Sequence, residues 1–429
     1  MLTETRPPFV LDRAELRRRY LRNRNRTFDL FNIFEPSAYY ERPIPLRHPL
    51  VFYEGHIPAF SHNKLCVEAL GQPPIDADLQ RLFERGIDPA SVHDAQKHER
   101  DKWPDRVHVQ AFGAAVDSAI LRALANASLD DPPASPLLDR AQAAHTIIEH
   151  ESMHHETFLY MLHRLPLERK RAHTYREAHF DREPEDRGPV EIPAGIATLG
   201  VRRDAIDFAW DNEYEETTLD VARFEIDKHN VTNGEWLSFV RAGGPVPSFW
   251  RERDGEFKLL AMFEELPLPL WWPVYVTQKQ AADFAAWRGG RVMTEPEYHR
   301  AAFGTPSGEE RPSPWGHAEP DARLHGNFDF RRYDPEPIGS SPRGASAFGV
   351  HDLVGNGWEW TSTTFSPLPG FVPLPSYPQY STDFFDDAHF VVKGASPVTS
   401  RELLRRSFRN WYRPDYPYVY ATFRVVRDT

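Results

Sequence analysis

His150 and His154 stand four residues apart in the string His150-Glu151-Ser152-Met153-His154-His155-Glu156. The run from Leu137 to Leu165 around them is rich in Ala, Leu, Met and Glu and holds neither Gly nor Pro. On a helix, side chains four apart share a face, so the two imidazoles point at a common spot, as a divalent transition metal requires. The string also satisfies H-E-x-x-H, in which two histidines bind zinc and the glutamate between them, here Glu151, is the general base of peptide hydrolysis. Two histidines satisfied inside a core are a third reading. Glu156 lies about 240° around the helix from His150, off the ligand face, where a structural or outer-shell contact is expected.

With 429 residues, 40% hydrophobic and 13% aromatic, the chain can build two or three domains with sizeable cores. A formal net charge of -12 argues against a nucleic-acid footprint, and Arg13, Arg17, Arg18, Arg19, Arg22 and Arg24 near the start read as a solvated helix face. Cys66 is the sole cysteine, so no intrachain disulfide can form and nothing points to an oxidising compartment. No apolar stretch reaches the length of a membrane span, and charged residues stand where a signal peptide has its apolar segment. The expectation is a cytoplasmic protein without nucleic-acid or membrane partners, its oligomeric state unfixed by the sequence.

The elements that must position the histidines are helical over residues 1–180. Helices are expected over about Asp12–Phe34, His48–Leu70, Val107–Ala127 and Leu137–Leu165, and four such helices suggest a bundle, whose facing helices commonly build metal sites. In the third, Val109, Phe112, Val116, Ile120 and Leu124 recur at helical spacing. Residues 181–190, DREPEDRGPV, are charged and broken by two prolines and a glycine, and read as a linker. From 191 to 429, apolar runs such as Ala222–Ile226 and His389–Val392 alternate with Gly, Pro, Asn and Asp clusters. That pattern predicts short strands and long loops, with short helices only near Asn233–Arg241 and Gln278–Arg288.

The C-terminal part carries KHNVTNGEWLSFV (228–240), PVYVTQKQAADFAAWRGGRVMTEPEYHRAA (273–302), SPWG (313–316), HDLVGNGWEW (351–360), KGAS (393–396) and FRNWYRPDYPYVYATFRVV (408–426). This series, in this order, resembles the formylglycine-generating-enzyme-like domain, a variant of the C-type lectin fold. Formylglycine-generating enzymes use a pair of cysteines, which this chain lacks, so the resemblance carries the fold without that activity. The helical part is similar to DinB-like bundles. The implied fold class is α+β: a DinB-like four-helix bundle (1–180), a linker (181–190) and a formylglycine-generating-enzyme-like domain (191–429).

That pairing of domains resembles the ergothioneine and ovothiol sulfoxide synthases. The resemblance implies an iron(II) site of three histidines, one on an early helix and two in H-x-x-x-H-x-E. His150, His154 and Glu156 match the later motif, and the early position within LRHPLVFYEGHIPAFSHNKL (46–65) falls on His56, with His62 a weaker rival. His145, His155 and His163 are then ordinary helix residues and Glu151 a second-shell or surface group. The family's catalytic acid, in a Tyr-x-x-Tyr element, corresponds to Tyr377 of YPQY, with Tyr380 beside it. A phenol of reference pKa near 10 can give up a proton in the reaction while staying protonated at rest. In FRNW, Asn410 and Trp411 match residues that contact the trimethylated histidine substrate; Trp411 would offer a π face to its quaternary ammonium.

Three departures bear on the thiol. Tyr412 stands where mycobacterial-type members have an Asp for γ-glutamylcysteine, Met153 stands where they have a Gln, and their paired arginines find no match around Lys97–Arg106. The implied reaction is therefore an iron- and oxygen-dependent coupling of a thiol, cysteine foremost, to the imidazole of hercynine (Nα-trimethylhistidine), with S-oxygenation. A synthase using histidine or another thiol or selenium donor, and a non-catalytic ligand-binding protein, remain as alternatives.

Overall fold

The computed structural model describes residues 9–84, 103–171 and 179–429, and the chain divides into two compact units, Met1–Arg176 and Glu177–Thr429.

The first unit is a helical bundle of α1 (Arg13–Leu30), α2 (Leu50–Ser61), the short α3 (Ala77–Phe83), α4 (Arg106–Asn126) and α5 (Gln142–His163). Asp12 starts α1 by accepting from the Glu15 N–H, and Asp76 starts α3 by accepting from Asp78 and Leu79. The expected stripe on α4, Val109, Phe112, Val116, Ile120 and Leu124, is buried throughout. The helix expected over His48–Leu70 is two pieces, α2 followed by a wider π-type segment at His62–Ala69. The fourth helix begins only at Gln142, because Asp139 and Arg140 leave helical geometry.

The arginines near the start divide between two environments. Arg17 and Arg18 are exposed as expected, whereas Arg13 donates to the carbonyls of Leu124 and Ala127, at the end of α4 where the helix leaves acceptors unpaired. Arg24 is half-buried, its guanidinium in an ion-pair network described below.

In the second unit, β1 (Pro189–Ile192), β4 (Phe224–Asp227), β13 (Val425–Asp428) and β8 (Arg291–Val292) form one sheet in that order. A second sheet runs β11 (Asn410–Tyr412), β10 (Phe390–Ala395), β9 (Gly357–Thr364), β12 (Ala421–Thr422), with β12 parallel to β9. Smaller antiparallel sheets pair β2 (Gly195–Leu199) with β3 (Thr217–Val221), and β5 (Trp250–Arg253) with β6 (Glu256–Leu260) and β7 (Glu265–Pro267). The stretch read as a linker is held in this unit: Asp181 accepts from the backbone N–H of Leu270 and Trp271, and Pro189 opens β1.

Three helices here, α6 (Asn233–Arg241), α7 (Gln278–Trp287) and α8 (Glu295–Phe303), each start with a threonine and a Glu or Gln three residues on that close a capping box. The sequence reading left out α8, although Thr294 and Glu297 carry the same signal and Pro296 stands in the first turn, where proline is tolerated. A last short turn is α9 (Gln379–Thr382).

The recognisable motifs build the scaffold. In GNGWEW, Trp358 and Trp360 are buried and Glu359 pairs with the equally buried Arg424 at 2.8 Å. In KGAS, Gly394 has φ +88° and a Cβ there would lie 2.4 Å from the Leu353 carbonyl oxygen, so only glycine fits.

Candidate metal centre

His56 lies on α2, and His150 and His154 on α5, all three buried. Each offers a ring nitrogen within 4.8 Å of the others'. Nε2 of His150 and Nε2 of His154 stand 3.0 Å apart. Two ligands at right angles, each about 2.1 Å from a metal, would be separated by about 3.0 Å, so the pair fits a shared cation. His56 is fixed from behind: its Nδ1 is 2.7 Å from the carbonyl oxygen of Phe83. A carbonyl can only accept, so Nδ1 carries the proton and Nε2 keeps the lone pair a metal needs. Phe83 is the last residue of α3, and its carbonyl has no partner within that helix.

Burial pushes His56 down to about 4 despite the Phe83 hydrogen bond, and pushes His150 and His154 well below the usual histidine range, with the neighbouring imidazoles adding to the effect. The three are therefore neutral near pH 7, as metal ligands must be. Aromatic rings hold their planes: Phe60 is parallel to His150 at 3.5 Å and 11°, and Phe52 stacks on His56 at 4.9 Å and 21°.

Glu151 faces away from this cluster. It is fully buried, contrary to a surface placement, and accepts from Arg24 at 2.7 Å and from the Thr27 hydroxyl at 2.6 Å, both on α1. Arg24 also reaches Asp117 on α4, which accepts from the Tyr20 hydroxyl, and Thr27 bonds the His155 ring. The network links α1, α4 and α5, fixes the rotation of α5 and occupies the carboxylate that a peptide hydrolase would need as base.

Three other histidines named from the sequence stand in separate contacts: His62 accepts from the Gln80 amide, His145 stands 3.4 Å from Arg19, and the buried His163 accepts from Lys170 through its backbone carbonyl. Glu156 is buried on α5. Cys66 is buried in the π-type segment with its thiol pushed up to about 11, an unreactive state. From His150 to the end of α5, Met153 and Thr157 alone keep partial exposure. Most of the Lys97–Arg106 stretch lies outside the described residues; Arg106 itself pairs with Glu54.

The substrate-side residues expected in the second unit fall into two groups. Successive side chains of edge strand β11 alternate in direction, which puts Asn410 with Tyr412 and sends Trp411 the other way. Asn410 donates to the Tyr412 hydroxyl at 3.1 Å. Trp411 lies parallel to Phe365 at 4.1 Å and edge-on to Tyr380 at 5.3 Å. Tyr380 stacks on Trp210 at 4.0 Å, and Tyr377 is 5.7 Å from Tyr380; both tyrosines are half-buried. Tyr377, Tyr380 and Trp411 thus belong to one aromatic cluster. Sequence reasoning missed Phe83, whose role lies in a backbone carbonyl that no residue type signals. It also missed Trp210, which the aromatic-then-acidic string FAWDNE (208–213) could have flagged.

Residues 176–429 match the sulfatase-modifying factor enzyme 1-like domain, and residues 19–158 match the DinB superfamily. The chain is 32% identical to a hercynine oxygenase of Mycolicibacterium thermoresistibile over 98% of this chain and 96% of that protein. It is 31% identical to a hercynine oxygenase of Mycolicibacterium smegmatis, covering 94% and 96%. It is 28% identical to ergothioneine biosynthesis protein 1 of Neurospora crassa, covering 90% of this chain and 55% of that protein.

Proposed function

Because this chain belongs to the ergothioneine sulfoxide synthase family, together with the hercynine oxygenases it is similar to, we propose that it is a nonheme iron(II)- and oxygen-dependent sulfoxide synthase. It joins a thiol, cysteine foremost, to the imidazole of hercynine. The observation that carries this reading is the cluster of three buried, neutral imidazoles, His56, His150 and His154. Iron(II), when bound there, supplies open coordination positions and the redox capacity that oxygen chemistry needs. The thiol loses its S–H and the imidazole a C–H, a C–S and an S–O bond form, and dioxygen leaves one atom in the sulfoxide and one in water.

The residues of this chain bind, orient and protonate. Trp411, half-buried with Phe365 parallel to it and Tyr380 and Phe384 around it, offers its π system to the trimethylammonium group. Asn410 spends one amide hydrogen on Tyr412 and keeps a second donor for the substrate carboxylate. Tyr412 in place of an acid removes the charge a γ-glutamylcysteine amine would seek, which favours cysteine. Met153 flanks the paired histidines at one of the two partly exposed positions on that stretch of α5. Tyr377, with Tyr380 beside it, is the proton donor.

The reading is tested by anaerobic loading with iron, then air with a matrix of thiols and imidazoles, followed by mass spectrometry. Hercynine with cysteine is expected to give the sulfoxide, and other cells of the matrix report histidine or selenium donors. Absence of sulfoxide and sulfinate with every common thiol, together with no bound iron, would instead favour a non-catalytic ligand-binding protein.

A further inference from the structure

The Tyr377–Tyr380 turn has no ladder to hold it. Pro367, Pro369, Pro373, Pro375 and Pro378 crowd the segment, and prolines offer no backbone N–H. Its internal order is two successive turns, from the Tyr377 N–H to the Leu374 carbonyl and from the Tyr380 N–H to the Tyr377 carbonyl, leading into the single turn of α9. One buried carboxylate reaches those turns from both sides. Asp211 Oδ2 accepts from the Leu374 N–H at 3.4 Å, three residues before Tyr377, and Asp211 Oδ1 accepts from the Ser381 hydroxyl at 2.5 Å, one residue after Tyr380. Asn212 donates to the same hydroxyl at 2.9 Å, and Trp210 stacks on Tyr380.

The platform itself is anchored in turn. Glu213 accepts from Arg405 and from the Ser407 hydroxyl, and Arg409 donates to the Asn212 carbonyl while paired with Glu295. Asp211, Asn212, Glu213 and Ser381 are each at most 1% exposed.

We propose that Asp211 is a positioning residue for the reactive tyrosine: its two oxygens grip both ends of the 374–381 segment and so fix where the Tyr377 hydroxyl is presented. The assignment rests on the reading of Tyr377 given above. Burial pushes the Asp211 carboxyl up to about 6, against the pull of its donors. A buried carboxylate without those donors would be costly, so its placement is tied to the segment it holds.

Asp211→Asn keeps the shape and removes one acceptor, and Ser381→Ala removes one donor without touching Asp211. In the iron-loaded full-length protein, both variants are expected to speed amide hydrogen exchange over residues 374–382 by about tenfold or more, while α5 stays protected and iron content is unchanged. With hercynine and cysteine, the product is expected to shift from sulfoxide toward sulfinate, in the direction of Tyr377→Phe. The double variant should show less than the sum of the two single effects, since both weaken the Asp211–Ser381 contact. Unchanged exchange over 374–382 in both variants overturns the proposal, as does an unchanged product ratio where Tyr377→Phe shifts it. Should Tyr377→Phe itself be silent, the reading of Tyr377 fails, and the exchange pattern alone decides whether Asp211 holds the segment. Should Asp211→Asn fail to fold, Ser381→Ala carries the test.

Discussion

Three imidazoles held neutral by burial should take up metal with little competition from protons. His56 is held at about 4 in the folded chain, below its ordinary value, so between about pH 6.5 and 4 the unfolded chain binds more protons. This histidine's burial therefore costs no stability above pH 6.5, and stability is lost as pH falls toward 4. While the protein stays folded, its metal affinity, measured by chelator competition, should change little from pH 6.5 to 5; a fall of more than tenfold would contradict neutral buried ligands. Tyr377→Phe should leave the unfolding temperature nearly unchanged, slow coupling about a hundredfold and divert the thiol to a sulfinic acid. If rate and product ratio stay the same, Tyr53, whose ring lies 6.0 Å from His154, becomes the donor to test. The paired histidines were legible because helical spacing puts them on one face. The partner of Glu151 was not, because Arg24 lies 127 residues away and only the tertiary fold joins them.

Elements turn these residues into a site. Gly55, beside His56 on α2, has no room for a side chain: a Cβ would lie 2.4 Å from the Phe83 ring. Gly55→Ala must therefore displace Phe83 and with it the carbonyl that orients His56, and metal affinity should fall about tenfold or more. Unchanged affinity in that variant would show that α3 does not position the ligand. Glu151→Gln should lower stability by roughly 1.5–3 kcal/mol through its lost charge-assisted bonds while the folded protein keeps stoichiometric metal. Loss of metal from a folded Glu151→Gln protein would contradict its role as a helix anchor. The long helices were readable from composition and periodicity. Short α3 was missed because seven residues hold too few turns for a periodic signal. Residues 181–190 read as a linker because charge and proline mark loops, while the grip of Asp181 on Leu270 and Trp271 is a long-range contact.

At the scale of the whole chain, the helical unit carries the metal-competent histidines and the sheet-rich unit carries Tyr377, Tyr380, Asn410 and Trp411. The two-domain order was legible because its motifs, GNGWEW and KGAS among them, are structural necessities: buried tryptophans, a buried ion pair and a glycine at positive φ. Which metal the histidines take was less so, since three imidazoles suit several transition metals and the choice turns on the open positions. The central claim is that dioxygen is consumed at His56, His150 and His154 to couple a thiol to an imidazole. Its most direct test is reaction of the iron-loaded protein with hercynine and cysteine under oxygen-18 gas, read by mass spectrometry. The expected result is a sulfoxide carrying one labelled oxygen, absent when any of the three histidines is replaced by alanine. An unlabelled sulfoxide, or labelled product at an unchanged rate from His150→Ala, would contradict it.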